Sequence, residues 1–304
     1  GVIKTPIAFL TVSLLENIEL IRKSIVYQSR KYQNISYYIV CPQREISEFK
    51  RYLADHAYCI VTSEDQMISF SDFSSVWRNS RFYSGLVSDR SLKWYYQQVL
   101  KLTFILDFDF SREQLVLWDA DTIPIRPIRF FRGRFPLQYG SPYEFEDIYR
   151  TVNLNMFGER LDASCSKYSY VTQFCAVTQP MQELLELLIK TRSIYNPSSS
   201  LTENLSHILI EGVYTTGSSL NTPSFSEYEL LGAISESIYK GRQIKLRFFR
   251  WEIQGLLNNL QTLILFILGY VHITYENIQD QKQRHMTSIQ FLVGLYINWR
   301  RSIR

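Results

Sequence analysis

The chain has 304 residues, 46% hydrophobic and 20% charged, with only 12 glycines and 9 prolines. This composition excludes a disordered, collagen-like or low-complexity protein and leaves ample material for a buried core. Its 33 basic and 29 acidic residues give a net charge of +4 and are distributed along most of the chain, far from the basic excess of a nucleic-acid binder. Cys41, Cys59, Cys165 and Cys175 form no CxxC pair and no dense framework, so reduced thiols and a cytoplasmic location are expected. No signal-peptide pattern is visible at Gly1-Val2-Ile3-Lys4. The most apolar stretch, Leu263 to Val271, is far short of the roughly 20 residues of a membrane span and predicts a buried strand or core helix.

In chain order, Ile7 to Val12 is a short apolar run that predicts a strand. Glu16 to Gln28 carries Ile18, Ile21, Ile25 and Val26 at helical spacing, and Ile35 to Val40 is again β-branched and aromatic, so the opening predicts a βαβ unit. Helix over 45–56, strand over 57–62, helix over 92–106 and a strand at 115–118 follow. This alternation predicts a mostly parallel sheet with helices on both faces, with ligands beyond the carboxyl ends of its strands. From Arg126 the pattern loosens among Pro124, Pro127, Pro136 and Pro142. An extended run at 170–177, helices over 181–191, 201–211 and 226–239, and a strand at 244–249 complete the reading.

The sharpest local feature is Leu115-Val116-Leu117-Trp118-Asp119-Ala120-Asp121-Thr122. Two carboxylates at i and i+2 past a buried strand can project into one crevice, where a divalent cation and phosphate oxygens share them. The other reading is a turn in which one Asp caps Thr122. Asp107-Phe108-Asp109 repeats the letters at the opposite edge of the sheet, in a loop before the strand, and reads as solvated polarity.

Lys93-Trp94-Tyr95-Tyr96-Gln97-Gln98-Val99-Leu100-Lys101-Leu102, the 115–121 strand and Thr122-Ile123-Pro124-Ile125-Arg126-Pro127 resemble the helix and Asp-x-Asp strand of GT-A glycosyltransferases. The likeness is to a bacterial group of uncharacterised glycosyltransferases linked to surface polysaccharides, whose second signature Ser226-Glu227-Tyr228-Glu229-Leu230-Leu231-Gly232 resembles. The resemblance spans about residues 6–251. It implies a GT-A-like α/β fold and a nucleoside-diphosphate sugar held by Mn²⁺ or Mg²⁺ on Asp119 and Asp121. Transfer from such a donor requires neutralising the charge on the leaving diphosphate, which a metal does as a Lewis acid.

Around that pair, Ser226 and Glu229 have capping-box spacing, which leaves Glu227 free in the first helical turn as a candidate general base. Gln97 and Lys101 share a helix face and are candidates for the nucleotide or diphosphate, or else an ordinary solvated face. Thr11 and Ser13 follow the first strand, where the base and ribose are expected; Ser13 alternatively caps the next helix. His56, His207, His272 and His285 show no zinc spacing. Related metal-dependent transferases use a late His, which makes His272 a candidate third ligand against a core role.

Two other classes compete: a haloacid-dehalogenase-like phosphatase and a non-catalytic carbohydrate-binding relative. The first is opposed by Ile123 after the motif, by the strands that precede it and by the few downstream Asp residues, Asp147, Asp162 and Asp280. Neither GxGxxG after the first strand nor GxxxxGK[ST] occurs. The expected organisation is a nucleotide-sugar half at 1–125, an acceptor half at 126–250 and a helical C-terminal extension at 251–304. The expected acceptor is a surface polysaccharide or a lipid-linked glycan, with no nucleic-acid partner. In 288–304, apolar residues from Ile289 to Ile297, Trp299 and Arg300, Arg301 and Arg304 fit either peripheral contact at the inner membrane face or packing on the core.

Overall fold

The computed structural model describes residues 6–80, 88–140, 147–161, 169–217, 223–240, 244–245, 250–253, 259–268, 270–275, 291–292 and 295. The chain begins β1 (Ile7–Val12), α1 (Ile18–Lys31), β2 (Ile35–Cys41), α2 (Ile46–Tyr52) and β3 (Cys59–Ser63). It continues with α3 (Phe70–Asn79), α4 (Asp89–Asp107), β4 (Gln114–Trp118) and β5 (Thr122–Pro124). The short strands β6 (Phe131–Arg132), β7 (Phe135–Pro136) and β8 (Tyr139–Gly140) precede α5 (Asp147–Phe157), β9 (Phe174–Val177), α6 (Gln179–Lys190), α7 (Leu201–Thr215) and α8 (Glu227–Tyr239). Last come β10 (Ile244–Lys245), β11 (Arg250–Ile253), α9 (Asn259–Leu268) and β12 (His272–Tyr275).

The main sheet has the order β3-β2-β1-β4-β9. The first four strands run parallel and β9 is antiparallel to β4. Alternation along the strands fills two cores. Ala8, Leu10, Val12, Leu115 and Leu117 meet buried residues of α3 through α8 on one face. Phe9, Val116 and Trp118 meet α1, α2, Ile128 and Phe130 on the other. The expected α/β architecture with helices on both faces is therefore the observed one. Helix starts are set locally where Ser69, Ser88 and Ser200 each accept a backbone N–H from the first turn, as N-cap serines do.

Several expectations are corrected. The stretch expected as a helical extension also contains strands: β11 pairs β12, which returns antiparallel to β5. Leu263 to Leu268 is helical, but Leu263, Phe266, Ile267 and Leu268 are exposed, and only Leu265 of this run is fully buried. Ser13 does not cap the following helix, whose N-cap is Asn17. The 288–304 segment, Cys165, Asp162, Asp280 and His285 lie outside the described residues, apart from positions 291, 292 and 295. Among the described residues, no helix is long and apolar enough to cross a membrane.

Candidate active site

The sheet order reverses between β1 and β4: the chain leaves β1 toward β2, and β4 arrives on β1's other side. At such a switch point the connections diverge and open a crevice beyond the carboxyl ends of the two strands. Asp119 follows β4 directly, and Asp121 follows two positions later in a turn closed by Thr122 N–H donating to the Asp119 carbonyl at 3.2 Å. The Asp119 N–H donates to the Gln173 carbonyl at 3.0 Å, and the Trp118 indole donates to the Thr122 carbonyl at 2.9 Å. The Thr122 hydroxyl donates to Asp121 Oδ1 at 3.2 Å. Both carboxylates are partly exposed.

Lys101 of α4 reaches this turn from the core side of the sheet. Its Nζ donates to Asp119 Oδ1 at 2.7 Å and to Glu227 Oε1 at 2.5 Å, and it lies 4.8 Å from the Tyr228 ring centroid. The Tyr228 hydroxyl donates to the same Asp119 Oδ1 at 2.6 Å. The side chains of Lys101 and Glu227 are 4% and 2% exposed, so the ion pair is a buried one. Burial opposes the charge on Lys101, but the carboxylates of Asp119 and Glu227 outweigh it and hold the ammonium above the ordinary lysine range. Burial raises the Glu227 carboxyl against the pull of Lys101, and Asp119 adds to the rise. Burial, followed by the two carboxylates, drives the Tyr228 phenol well up.

This arrangement revises several expectations. Glu227 is not free in the first turn of α8, because its carboxylate faces inward onto Lys101. Lys101 is on no solvated helix face. Gln97 shares its side of α4 and donates to the Val12 carbonyl at the end of β1, 3.3 Å away. Thr11 is fully buried, its hydroxyl donating to the Trp118 carbonyl at 2.8 Å and lying 3.1 Å from Tyr37 Oη, which fastens β1 to β4. Ser13, 7% exposed, donates to the Leu14 carbonyl and receives Asn17 Nδ2. Asp109 is exposed and accepts the Ser111 N–H, as a solvated loop residue does.

The capping box is also corrected. Ser226 makes no side-chain cap bond, and Glu229 is drawn elsewhere, by the buried Tyr170 N–H at 2.8 Å and Ser169 hydroxyl at 3.1 Å and by the partly buried Arg150 Nε at 3.1 Å. One turn on, Gly232 leaves room for Tyr170, since a Cβ there would lie 2.1 Å from the ring. The Tyr170 hydroxyl then donates to Glu236. The hydrogen bond from Tyr228 to Asp119 is one of the site contacts that sequence reasoning missed. Its only signal was the position of Tyr228 inside the second signature.

Mg²⁺ and Mn²⁺ are held through one or two carboxylates, with water and substrate phosphates completing the shell. The donor set fits this: Asp119 Oδ2 has no protein partner among the described residues, and Asp121 lies two positions along the same turn. His272 is not gathered with them. It is fully buried, its ring centroid 5.7 Å from Phe174 and 6.3 Å from Trp118. Among the described residues no cluster of three or more His, Cys, Asp or Glu side chains stands ready for a metal.

No curated protein matches the chain. Among solved structures it is similar to the bifunctional glycosyltransferase WbbM in its apo form, with 9% identity and a TM-score of 0.47 over 100% of this chain and 53% of that one. It thus spans about half of the length of WbbM. Mouse xyloside xylosyltransferase 1, also apo, gives 9% identity and a TM-score of 0.45 over 91% of this chain and 99% of that one. The galactosyltransferase LgtC in complex with donor and acceptor sugar analogs gives 9% and 0.46 over 97% and 99%. Residues 10–131, from β1 into β6, match the sequence profile of a family of unknown function, DUF6492.

Proposed function

We propose that the chain is a glycosyltransferase that binds a nucleoside-diphosphate sugar at the β1/β4 crevice, with a divalent cation on Asp119 and Asp121. The observation that carries this reading is the treatment of Asp119. Two buried donors, Lys101 and Tyr228, hold its Oδ1, while Asp119 Oδ2 has no protein partner among the described residues and Asp119 lies two positions before Asp121 on the same turn. A carboxylate fixed in this way is preorganised toward a cation without collapsing onto its own turn.

When bound, Mn²⁺ or Mg²⁺ supplies Lewis-acid neutralisation of the charge on the diphosphate. Asp119 and Asp121 hold it, and Lys101 and Tyr228 fix the orientation of Asp119. Glu227 acts through Lys101, balancing the ammonium that would otherwise be buried beside one carboxylate alone, and is a positioning residue in this reading. The nucleotide lies beyond the end of β1, where Gln97 and Ser13 border the crevice and Thr11 keeps β1 and β4 together. The acceptor is a surface polysaccharide or lipid-linked glycan in a bacterium, a reading that rests on the motif resemblance.

A thermal-shift screen of nucleotides and nucleotide sugars with and without Mn²⁺ tests this. A ligand at a hundredfold excess over its Kd adds about 2.7 kcal/mol, a shift of several degrees in Tm. The reading expects such a shift only when nucleoside diphosphate and metal are both present. An unchanged Tm across the whole screen would overturn it.

A further inference from the structure

We propose that Gln173 is a positioning residue of the crevice: held in a left-handed backbone conformation, it fixes the main chain of Asp119 and so the direction in which Asp119 Oδ2 points. This role rests on the reading of the crevice as a metal and nucleotide site. Three non-glycine residues among those described have positive φ: Asn34 at 54°, Gln173 at 60° and Lys240 at 45°. Asparagine tolerates this region, and Lys240 is the C-cap of α8, where a left-handed residue commonly ends a helix. Gln173 has neither reason. Strained residues of this kind concentrate at working sites and persist only where their surroundings over-determine them.

The surroundings meet that condition. Gln173 is 7% exposed, and Ser169 and Thr172 are each 1% exposed. Glu229 holds the Ser169 hydroxyl and the Tyr170 N–H, and Ser169 Oγ in turn accepts the Val171 N–H at 3.0 Å. The Thr172 hydroxyl donates to the Phe174 carbonyl at 2.9 Å, bridging over Gln173. From Phe174 on, β9 is locked to β4, with Phe174 opposite Trp118. The chain therefore leaves the grip of α8, turns at Gln173 and enters the sheet beside Asp119.

What the turn delivers is a carbonyl. The Asp119 N–H donates to the Gln173 carbonyl at 3.0 Å, one residue beyond the last pair of the ladder. Asp119 is thus held at both ends, its main chain by Gln173 and its Oδ1 by Lys101 and Tyr228. With both fixed, little freedom is left about the side-chain bonds, and Oδ2 keeps one direction. A binding constellation needs its groups held to within about 0.5 Å, and a carboxylate fixed in advance binds without an ordering cost. A β-branched residue at 173 opposes the left-handed conformation far more than glycine or asparagine does.

Calorimetry with UDP and Mn²⁺ on wild type, Gln173→Val, Gln173→Asn and Gln173→Gly tests the role, with chemical denaturation of each variant alongside. Folded Gln173→Val is expected to bind about tenfold more weakly, because the binding-competent turn is then a minor population. Gln173→Gly and Gln173→Asn are expected to bind within about twofold of wild type, since both accept a positive φ. A purely structural residue would move the denaturation midpoint and leave the dissociation constant of the folded protein alone. Unchanged affinity in Gln173→Val therefore overturns the proposal. So does a comparable loss in Gln173→Gly, which would place the role in the side chain. Gln173→Ala, a milder obstacle to the turn, is expected to bind about threefold more weakly than Gln173→Gly; equal affinity of those two overturns the proposal even if Gln173→Val does not fold. A wild type with no Mn²⁺-dependent binding is a distinct result, which overturns the reading of the crevice and this role with it.

Discussion

Lys101 is the residue on which the site turns. It is buried, charged and shared between two carboxylates from different elements. Removing one partner of a buried ion pair leaves the other uncompensated, which typically costs about 3–5 kcal/mol. Lys101→Met is therefore expected to lower stability by about that amount in chemical denaturation. Adding Glu227→Gln should cost less than the sum of the single changes, with a coupling of about 0.5–3 kcal/mol. The pH dependence has a definite sign. Because the folded ammonium is held above its ordinary range, its contribution is complete below the unfolded lysine value and is lost as pH rises through the folded one. The stability gap between wild type and Lys101→Met should narrow above about pH 10.4. A gap that widens there would contradict the assignment. Gly232 is the other decisive single residue. Gly232→Ala must displace the Tyr170 ring near its attachment point, and overpacking of this kind costs about 1–3 kcal/mol.

Among the elements, α8 does two jobs with adjacent side chains. Glu227 and Tyr228 face Lys101 and Asp119, while Glu229, Gly232 and Glu236 grip the segment at Ser169 and Tyr170. Glu229→Ala should therefore cost about 3 kcal/mol, as loss of a buried charged partner does, rather than the about 1 kcal/mol of a lost cap. Equilibrium unfolding distinguishes the two values. Elements with one clean period were legible: β1 is observed where the apolar run Ile7 to Val12 predicts it, and α1 buries Ile18, Ile21 and Ile25. The helices α3 and α5 were missed. The first buries only Phe73, Ser74 and Trp77, and the second hides Val152, Asn153, Met156 and Phe157 among polar residues behind a proline-rich stretch. For α9 the periodicity was uninformative because the helix is apolar nearly all round, and only tertiary packing shows which side is covered.

Across the whole molecule, the alternation of strands and helices predicts the parallel sheet, and its switch point predicts where a ligand lies. The Asp119/Asp121 pair was legible because both residues sit on one turn past a strand. The partners of Lys101 were not, since they stand 18 and 126 residues away in the chain, and no local pattern encodes such contacts. The central claim is that this crevice binds a nucleoside diphosphate through metal on those two carboxylates. Titration calorimetry with UDP and Mn²⁺ on wild type, Asp121→Ala and Asp109→Ala tests it most directly. The account predicts binding that requires Mn²⁺, is lost in Asp121→Ala and is unchanged in Asp109→Ala. Equal affinity in wild type and Asp121→Ala would contradict it.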